Sequence, residues 1–276
     1  MRVAVITLVS GRHDHLSLQR AGLAAGTRTP DHYVVVTMDD PRAALLVAPE
    51  PCPGDPVAVP VPSPGRLPLA AARNAGARRA LDAGADLLVF LDVDCVPGAG
   101  TLDRYARCAA DGALLCGTVS YLPPPPAHGY RLDELPALAS PHPARPVPGD
   151  DEVLSGGDPL LFWSLSFALT AATWRTVGGF HEEYEGYGGE DTDFAMQAAG
   201  AGVELRWLGG APVHHQYHPT RTPPTQHLDD ILRNGALYRR RWGNWPMEGW
   251  LRDFARLGLV RHDPRTDTWS AVDRTA

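Results

Sequence analysis

The chain of 276 residues is long enough for one substantial core, and its 44% hydrophobic and 21% charged residues are typical of a folded globular protein. A formal net charge of −7 argues against unspecific binding to a nucleic-acid backbone, which is itself negatively charged. The four cysteines lack the close pairs of a zinc site and are sparse for a disulfide scaffold.

The amino terminus leads directly into a strand-like run at Val3, without the apolar core of a signal peptide. No apolar run approaches the ~18 residues that a membrane-spanning helix needs. We therefore expect a cytoplasmic protein without a transmembrane segment. The sequence leaves peripheral contact with a membrane open.

The first third of the chain alternates apolar strands with helices. Val3–Leu8 and Tyr33–Met38 are continuous apolar runs, typical of buried strands. Val57–Val61 is interrupted by proline and predicts an edge strand, and an alanine-rich helix follows it. The most apolar strand, Asp86–Leu91, comes next. This order predicts an α/β fold with a mostly parallel central sheet, which binds ligands at the carboxyl ends of its strands.

Acidic residues follow two of these strands. Asp92 and Asp94 lie two residues apart after the best strand, so an extended backbone points both carboxylates to one side. Two such oxygen ligands suit Mg²⁺ or Mn²⁺ carrying a diphosphate, and a solvated turn is the alternative. Asp39 and Asp40 end the second strand, where they either bind a ribose or base or form a simple turn.

The segment Gly178–Asp193 holds six carboxylates and five glycines. Its glycines, including Gly188 and Gly189, allow positive φ or a close approach to a ligand. Glu190 and Asp191 fall where a helix begins, and the positive end of the helix dipole keeps such carboxylates ionised, as a general base requires. The alternative is an acidic helix cap after a flexible loop.

Three histidines occur within five residues after the predicted strand Val203–Leu208: His214, His215 and His218. A single histidine is more often structural than functional. Here, however, the carboxylate motifs lack a nitrogen partner, and imidazole is a good ligand for Mn²⁺. These histidines are therefore candidate metal ligands.

The remaining segments define the expected domain organisation. Leu122–Asp158 loses periodicity and contains four consecutive prolines, which predicts a long loop that is either a lid or disordered. Leu228–Trp242 and Trp250–Leu257 predict amphipathic helices. We predict a catalytic domain over 1–220, with a donor-binding half at about 1–120, a flexible loop at about 122–158 and an acceptor and catalytic half at about 159–220, then a C-terminal helical extension over 221–276.

Five short motifs occur in order along residues 1–220: Ala72–Gly76 (ARNAG), Phe90–Asp94 (FLDVD), Val177–Phe180 (VGGF), Gly186–Asp191 (GYGGED) and Val213–Gln216 (VHHQ). Each is weak alone, but the ordered set is specific. Together they resemble the GT-A fold and family-2-type glycosyltransferases. The C-terminal half is similar to the catalytic domains of galactosyltransferases and polypeptide N-acetylgalactosaminyltransferases.

The resemblance implies an inverting, metal-dependent transferase that moves a sugar from a nucleotide sugar, with a UDP-sugar expected as donor and Mn²⁺ or Mg²⁺ as cofactor. It implies that Asp94 binds the metal directly and that Asp92 lies at the metal and the donor ribose. His215 completes the coordination, with His214 as the alternative. Asp191 resembles the general base, and Glu190 its acidic neighbour that orients the acceptor or donor sugar.

The resemblance also implies a set of donor contacts. The base and ribose lie near the first two strands, and an arginine in the ARNAG motif meets the nucleotide or diphosphate, although an exposed helix arginine is the alternative there. The expected donor-binding residues are Thr7, Asp39, Asp40, Arg73, Asn74, Asp92, Gly188 and Gly189.

Two departures leave the substrates undefined. His181 stands where many relatives carry Asp, and Ser166–Ala168 stands where many carry Asn. The acceptor is therefore a carbohydrate, a lipid-linked carrier, a peptide or a small molecule. One alternative function is a sugar nucleotidyltransferase, whose glycine-rich first loop is poorly matched by Leu8–Arg12. The other is a catalytically silent module that binds nucleotide sugars.

Overall fold

The computed structural model of the protein describes residues 1–47 and 54–272. Cys52 and the last four residues of the predicted extension lie outside this part. Within the described residues, ten strands form one mixed sheet and two form a small separate sheet. The strands are β1 (Val3–Val9), β2 (His32–Met38), β3 (Asp55–Val61), β4 (Leu87–Leu91), β5 (Cys95–Pro97), β6 (Ala113–Tyr121), β7 (Ser140–Pro141), β8 (Val153–Leu154), β9 (Ser166–Thr170), β10 (Glu204–His215), β11 (Val260–Asp263) and β12 (Thr268–Ala271).

Helices cover the faces of the large sheet and form much of the C-terminal region. Two short 3-10 helices, Pro159–Leu161 and Thr225–His227, accompany them. The α-helices are α1 (His13–Ala24), α2 (Pro41–Val47), α3 (Leu69–Asp82), α4 (Thr101–Cys108), α5 (Leu135–Leu138), α6 (Ala171–Val177), α7 (Glu190–Gly200), α8 (Leu228–Trp242) and α9 (Glu248–Arg256).

The large sheet has the strand order β3-β2-β1-β4-β9-β6-β10-β5, with β7 paired to β6 and β8 paired to β10. The first four strands are parallel to one another, and β3 lies at the edge, as predicted. β9 enters antiparallel between β4 and β6, and it places Phe167 opposite Phe90. A parallel half of the sheet is thus joined to a mixed half through one buried antiparallel strand.

Two hydrophobic cores lie on opposite faces of this sheet because successive strand residues point to opposite sides. In β1, Ile6 packs into one core and Val5 into the other. The first core also contains Phe194 of α7, and the second contains Leu16 of α1. This arrangement of helices on both faces explains the continuous burial of β1 and β4, which the apolar runs predicted.

The segment 122–158 is not featureless, although the sequence shows no periodicity there. It contains α5, and β7 and β8 pair with β6 and β10. Leu122 and Leu135 are buried against Val96. The segment therefore packs along one half of the sheet, and its role as a lid stays a prediction.

The C-terminal region contains the two predicted helices and, in addition, a hairpin. The predicted C-terminal helical extension therefore also includes strands, because β11 and β12 pair antiparallel around a four-residue turn. Asp267 closes that turn at a φ of 49°, and Asp263 accepts a hydrogen bond from the Arg265 N–H. Over residues 1–47 and 54–272, no helix combines the length and the apolar character needed to cross a bilayer.

Candidate active site

Two acidic motifs and a histidine pair meet at one edge of the sheet. Asp92 and Asp94 follow β4, Glu190 is the first residue of α7, and His215 ends β10. β10 pairs with β5, which places His215 opposite Cys95, the residue after Asp94. The fold thus brings the FLDVD and VHHQ motifs together across one strand pair.

Asp94, His215 and His218 form a group that can hold a metal ion, because their ligand atoms all lie within 4.8 Å of one another. His215 Nε2 is 3.5 Å from Asp94 Oδ1, and His218 Nε2 is 3.5 Å from Asp94 Oδ2. The backbone N–H of Gln216 donates to the Asp94 carbonyl, which fixes the turn beside β10. One carboxylate with two imidazoles suits Mn²⁺ better than Mg²⁺, which prefers oxygen ligands throughout.

Two residues predicted at the metal, Asp92 and His214, are not members of this group. Asp92 turns to Arg73 instead, with Oδ1 3.3 Å from Nη2. His214 precedes His215 in the strand, so its side chain points to the other face, where it is buried. Within the described residues its Nδ1 has no hydrogen-bond partner. His218, reached by the turn after β10, supplies the third ligand atom.

Arg73 connects the two acidic motifs. Its Nη2 donates to Asp92 and to Ser164 Oγ, its Nη1 lies 3.1 Å from Glu190 Oε1, and the guanidinium stands 5.2 Å from the Phe180 ring centre. Burial alone lowers the pKa of Arg73, but the charges of Asp92 and Glu190 raise it. With only 4% of its side chain exposed, Arg73 is not the exposed helix arginine of the alternative interpretation. Its contact with a donor stays a prediction.

The start of α7 presents Glu190 and Asp191 beside Arg73. Burial, together with the charge of Asp191, raises the pKa of Glu190 to about 7, and Arg73 opposes this increase. Burial also raises the pKa of Asp191, although Arg73 and the Thr192 N–H lower it. The predicted effect of the helix dipole is therefore outweighed by burial. Both carboxylates take up a proton more readily than exposed ones.

Asn74, predicted to bind the donor, holds the VGGF loop to α3. Its Nδ2 donates to the Phe180 carbonyl and to Glu182 Oε1, and its Oδ1 accepts from the Phe180 N–H, each at 2.8 Å. A Cβ on Gly179 would stand only 2.8 Å from Asn74 Oδ1, so only glycine allows this approach. Asn74 is thus occupied in supporting the loop next to α7.

The glycine-rich loop before α7 is held by the C-terminal region. Gly188 and Gly189 have φ values of 89° and 94°. Asn234 of α8 is fully buried, and its Nδ2 donates to the carbonyls of Glu185 and Gly188 at 3.0 Å and 2.8 Å. A Cβ on Gly188 would stand 3.1 Å from Met247 Sδ. Part of the space that the glycines were predicted to leave for a sugar is therefore filled by this region.

Thr7 is fully buried, which contradicts its predicted contact with the donor base or ribose. Its Oγ1 donates to Gln19 Oε1 at 2.9 Å, and Gln19 Nε2 donates to the Asp92 carbonyl at 2.7 Å. Thr7 therefore supports the Asp92 turn from inside the protein.

Asp39 and Asp40 make turn contacts at the end of β2. Asp40 accepts from the N–H groups of Ala43 and Gly11 at 2.9 Å and 2.7 Å. Burial alone raises the pKa of Asp40, but these hydrogen bonds lower it below its ordinary value. Asp39 has a φ of 47°, and its Oδ2 accepts from the Ser63 N–H. These contacts match the turn interpretation, and donor binding by either residue stays a prediction.

The structure also adds site residues that the sequence did not identify. Arg12, in the loop after β1, contacts Asp94 Oδ2 through Nη1. Tyr121 lies 4.8 Å from His215 between ring centres, and the rings of His142 and Trp163 are almost perpendicular, with their centres 4.7 Å apart. The only sequence signal for Arg12 was its position in a loop with turn residues after the first strand. The aromatic residues come from segments that meet only in the folded chain.

Comparison with known proteins agrees with this architecture. A family model described as the N-terminal domain of galactosyltransferase matches residues 162–219, which include the start of α7 and the histidine cluster. A search of curated protein sequences finds no match to the chain.

Solved structures with a similar fold include the glycosyltransferases GalNAc-T7 and S. aureus TarS. GalNAc-T7 with UDP, GalNAc and Mn²⁺ superposes with a TM-score of 0.54 at 15% identity, over 79% of this chain and 44% of that one. Residues 1–349 of S. aureus TarS superpose with a TM-score of 0.58 at 14% identity, over 94% of this chain and 71% of that one. A complex of the same TarS fragment with UDP-GlcNAc gives a TM-score of 0.57 at 14% identity, over 94% and 72%. The chain thus spans less than half of GalNAc-T7, and it has the GT-A fold of glycosyltransferases.

Proposed function

We propose that the protein is a metal-dependent, inverting glycosyltransferase that transfers a sugar from a UDP-sugar to an acceptor hydroxyl. The observation that carries this proposal is the proximity of two different groups at one sheet edge. Asp94 with His215 and His218 can hold a divalent cation, and Glu190 with Asp191 begins a helix beside Arg73. The GT-A fold supports it, since TarS and GalNAc-T7 share that fold and bind UDP.

The donor set fits a cation, and Mn²⁺ is preferred because two of the three ligand atoms are imidazole nitrogens. A cation held there would neutralise the negative charge that develops on the departing diphosphate, which is worth several kcal/mol in related chemistry. The site therefore needs no protein acid for the leaving group.

Asp191 is proposed as the general base. Its carboxylate takes the proton of the acceptor hydroxyl as the oxygen attacks the anomeric carbon from the face opposite the diphosphate, so an α-linked donor gives a β-glycoside. The raised pKa of Asp191 brings its proton affinity closer to neutral pH, which favours proton transfer. The positive charge of Arg73 opposes this rise.

Glu190 is proposed to orient a sugar hydroxyl. Its Oε1 is bound by Arg73, whereas its Oε2 is buried and has no hydrogen-bond partner among the described residues. A buried acceptor without a partner costs free energy, and a substrate hydroxyl would remove that cost. Partial burial and the charges of Asp191 and Glu190 raise the pKa of Tyr187, the tyrosine of the GYGGED motif, to about 12.

The first experiment measures nucleoside diphosphate release from UDP-, GDP- and dTDP-sugars, with Mn²⁺ or with a chelator. We expect metal-dependent release from a UDP-sugar. Release of inorganic diphosphate from a nucleoside triphosphate would indicate the nucleotidyltransferase alternative. Metal-dependent donor binding with no turnover in the presence of an acceptor panel would indicate the silent binding module.

The second experiment separates the base from the donor site. We expect Asp191→Asn to lower transfer by about 1,000-fold or more while metal-dependent UDP affinity stays within about threefold, because the base acts only on the acceptor proton. Asp103→Asn, a carboxylate 43% exposed on α4, is the matched control and should leave both quantities unchanged. An equal loss of UDP affinity in Asp191→Asn would contradict the base assignment.

A further inference from the structure

Arg12 has an unusual backbone conformation beside the candidate metal group. It directly precedes α1 with φ 50° and ψ 38°, in the left-handed region that non-glycine residues rarely adopt. The loop is held by the Gly11 N–H, which donates to Asp40 Oδ2 at 2.7 Å, and by the Arg12 carbonyl, which accepts from the Leu16 N–H at 3.1 Å. Such a conformation is strained for a non-glycine residue and is found preferentially at functional sites.

The same backbone directs the Arg12 side chain to Asp94. Its Nη1 contacts Oδ2, the oxygen that also faces His218 Nε2. Asp94 has 8% of its side chain exposed, whereas Arg12 has 39% exposed. Arg12 therefore reaches the carboxylate from the solvent side, and of the two side chains it is the one with room to move.

A second arginine at the site provides the contrast. Arg73 has 4% of its side chain exposed and is held by Asp92, Glu190 and Ser164. Arg12 has no comparable enclosure. Within residues 1–47 and 54–272, the carboxylate that it contacts is Asp94, through an oxygen of the metal-capable group. A divalent cation and a guanidinium repel each other at this range, so they cannot share Asp94 Oδ2 favourably.

We propose that Arg12 binds the donor diphosphate and that its guanidinium and the divalent cation compete for Asp94. This proposal rests on the proposed function above. When the cation occupies Asp94, the guanidinium moves away and meets the phosphate oxygens of the nucleotide. Arginine suits this role because its planar guanidinium donates two parallel hydrogen bonds to phosphate.

Coupling between the two ligands follows from this competition. The cation alone has to displace Arg12 from Asp94, whereas the cation with a nucleoside diphosphate supplies Arg12 with a new partner. Each ligand therefore raises the affinity for the other, and the two effects are equal by thermodynamic linkage. Nucleotide binding to Arg12, in the loop after β1, thus raises the affinity of the Asp94 group for the metal ion.

The test compares wild type with Arg12→Ala and Arg12→Lys, with Arg42→Ala, an exposed arginine of α2, as the charge-matched control. Electron paramagnetic resonance measures Mn²⁺ affinity without nucleotide, and calorimetry measures UDP affinity at saturating Mn²⁺. We expect Arg12→Ala to bind Mn²⁺ alone about 3–10-fold more tightly and UDP about 10-fold more weakly. Arg12→Lys should keep the Mn²⁺ affinity of wild type and lose part of the UDP affinity. The control should match wild type in both measurements.

Either of two results in Arg12→Ala would overturn the proposal: unchanged or weaker affinity for Mn²⁺ alone, or UDP affinity within twofold of wild type. These results differ from a failure of the proposed function, in which wild type itself binds no UDP in the presence of Mn²⁺. That failure would remove the diphosphate role of Arg12 as well.

Discussion

Asp92 and Asp94 belong to one motif of five residues, yet they lie in different chemical surroundings. Asp92 contacts a buried arginine whose guanidinium also holds Glu190. Asp94 faces two imidazoles and an arginine that reaches it from the solvent side. The buried guanidinium of Arg73 thus offsets the charge of Asp92. Asp94 is the carboxylate at which we propose that Arg12 and a metal ion replace each other.

The residues that follow β4 therefore take part in two groups, one around Arg73 and one around Asp94. The Arg73 group is built from α3, the turn after β4 and α7, so it joins the two halves of the protein as much as it prepares a site. The Asp94 group lies beyond the ends of β4 and β10, where the pairing of β10 with β5 places His215 beside Asp94 and the turn after β10 brings in His218. We expect changes in the first group to affect folding and changes in the second to affect metal binding.

The largest expected effect is the loss of stability in Arg73→Met. Removal of the guanidinium leaves Glu190 buried and Asp92 half-buried without their partner, and breaking a buried pair such as Arg73 with Glu190 costs about 3–5 kcal/mol. Urea denaturation at pH 7 measures the change. Arg78→Met, on the same helix with 64% of the side chain exposed, is the control and should change the free energy of unfolding by less than about 0.5 kcal/mol. Equal effects of the two substitutions would show that Arg73 has no special role in joining the halves.

The next effect is on metal affinity and compares the two aspartates directly. We expect Asp94→Asn to weaken Mn²⁺ binding by on the order of 100-fold, about 2.8 kcal/mol, because it removes the charge from a ligand. Asp92→Asn should weaken it by less than about fivefold, since Asp92 lies outside the ligand group. Titration of Mn²⁺ followed by electron paramagnetic resonance measures both. A similar loss in the two variants would place Asp92 among the ligands, as the sequence motif alone predicts.

Much of the fold follows from the sequence because apolar runs and helix signals are local. The strands around Val5, Val35 and Val89 and the start of α7 at Glu190 lie where the pattern places them. The antiparallel entry of β9 was not predictable in the same way. Its run at 166–170 is apolar in either direction, and its orientation depends on the route of the chain through 122–158.

The site was predictable at the level of motifs but less so at the level of side-chain contacts. Asp94 and His215 lie together, as the resemblance implied, because strand pairing aligns their motifs. Thr7 is buried and Asn74 is bonded to a loop, since both make contacts with residues distant in sequence. Arg12 and His218 lie in turns after β1 and β10. The spacing of apolar residues does not predict where such turns direct their side chains.

The smallest expected effect concerns the pH dependence of the Arg73 group. Burial raises the pKa of Glu190 from 4.5 to about 7, so the folded protein binds this proton more tightly than the unfolded chain does. The resulting stabilisation is complete below pH ~4.5 and is lost as the pH rises through about 7.

Glu190→Gln resembles the protonated form, so wild type should lose about 2 kcal/mol of unfolding free energy relative to this variant between pH 5 and pH 8. Urea denaturation at both values measures the difference, and Glu185→Gln, which changes an exposed carboxylate of the same loop, should show none. If the difference between wild type and Glu190→Gln did not change with pH, the positive charge of Arg73 would fully offset the burial of the Glu190 carboxylate.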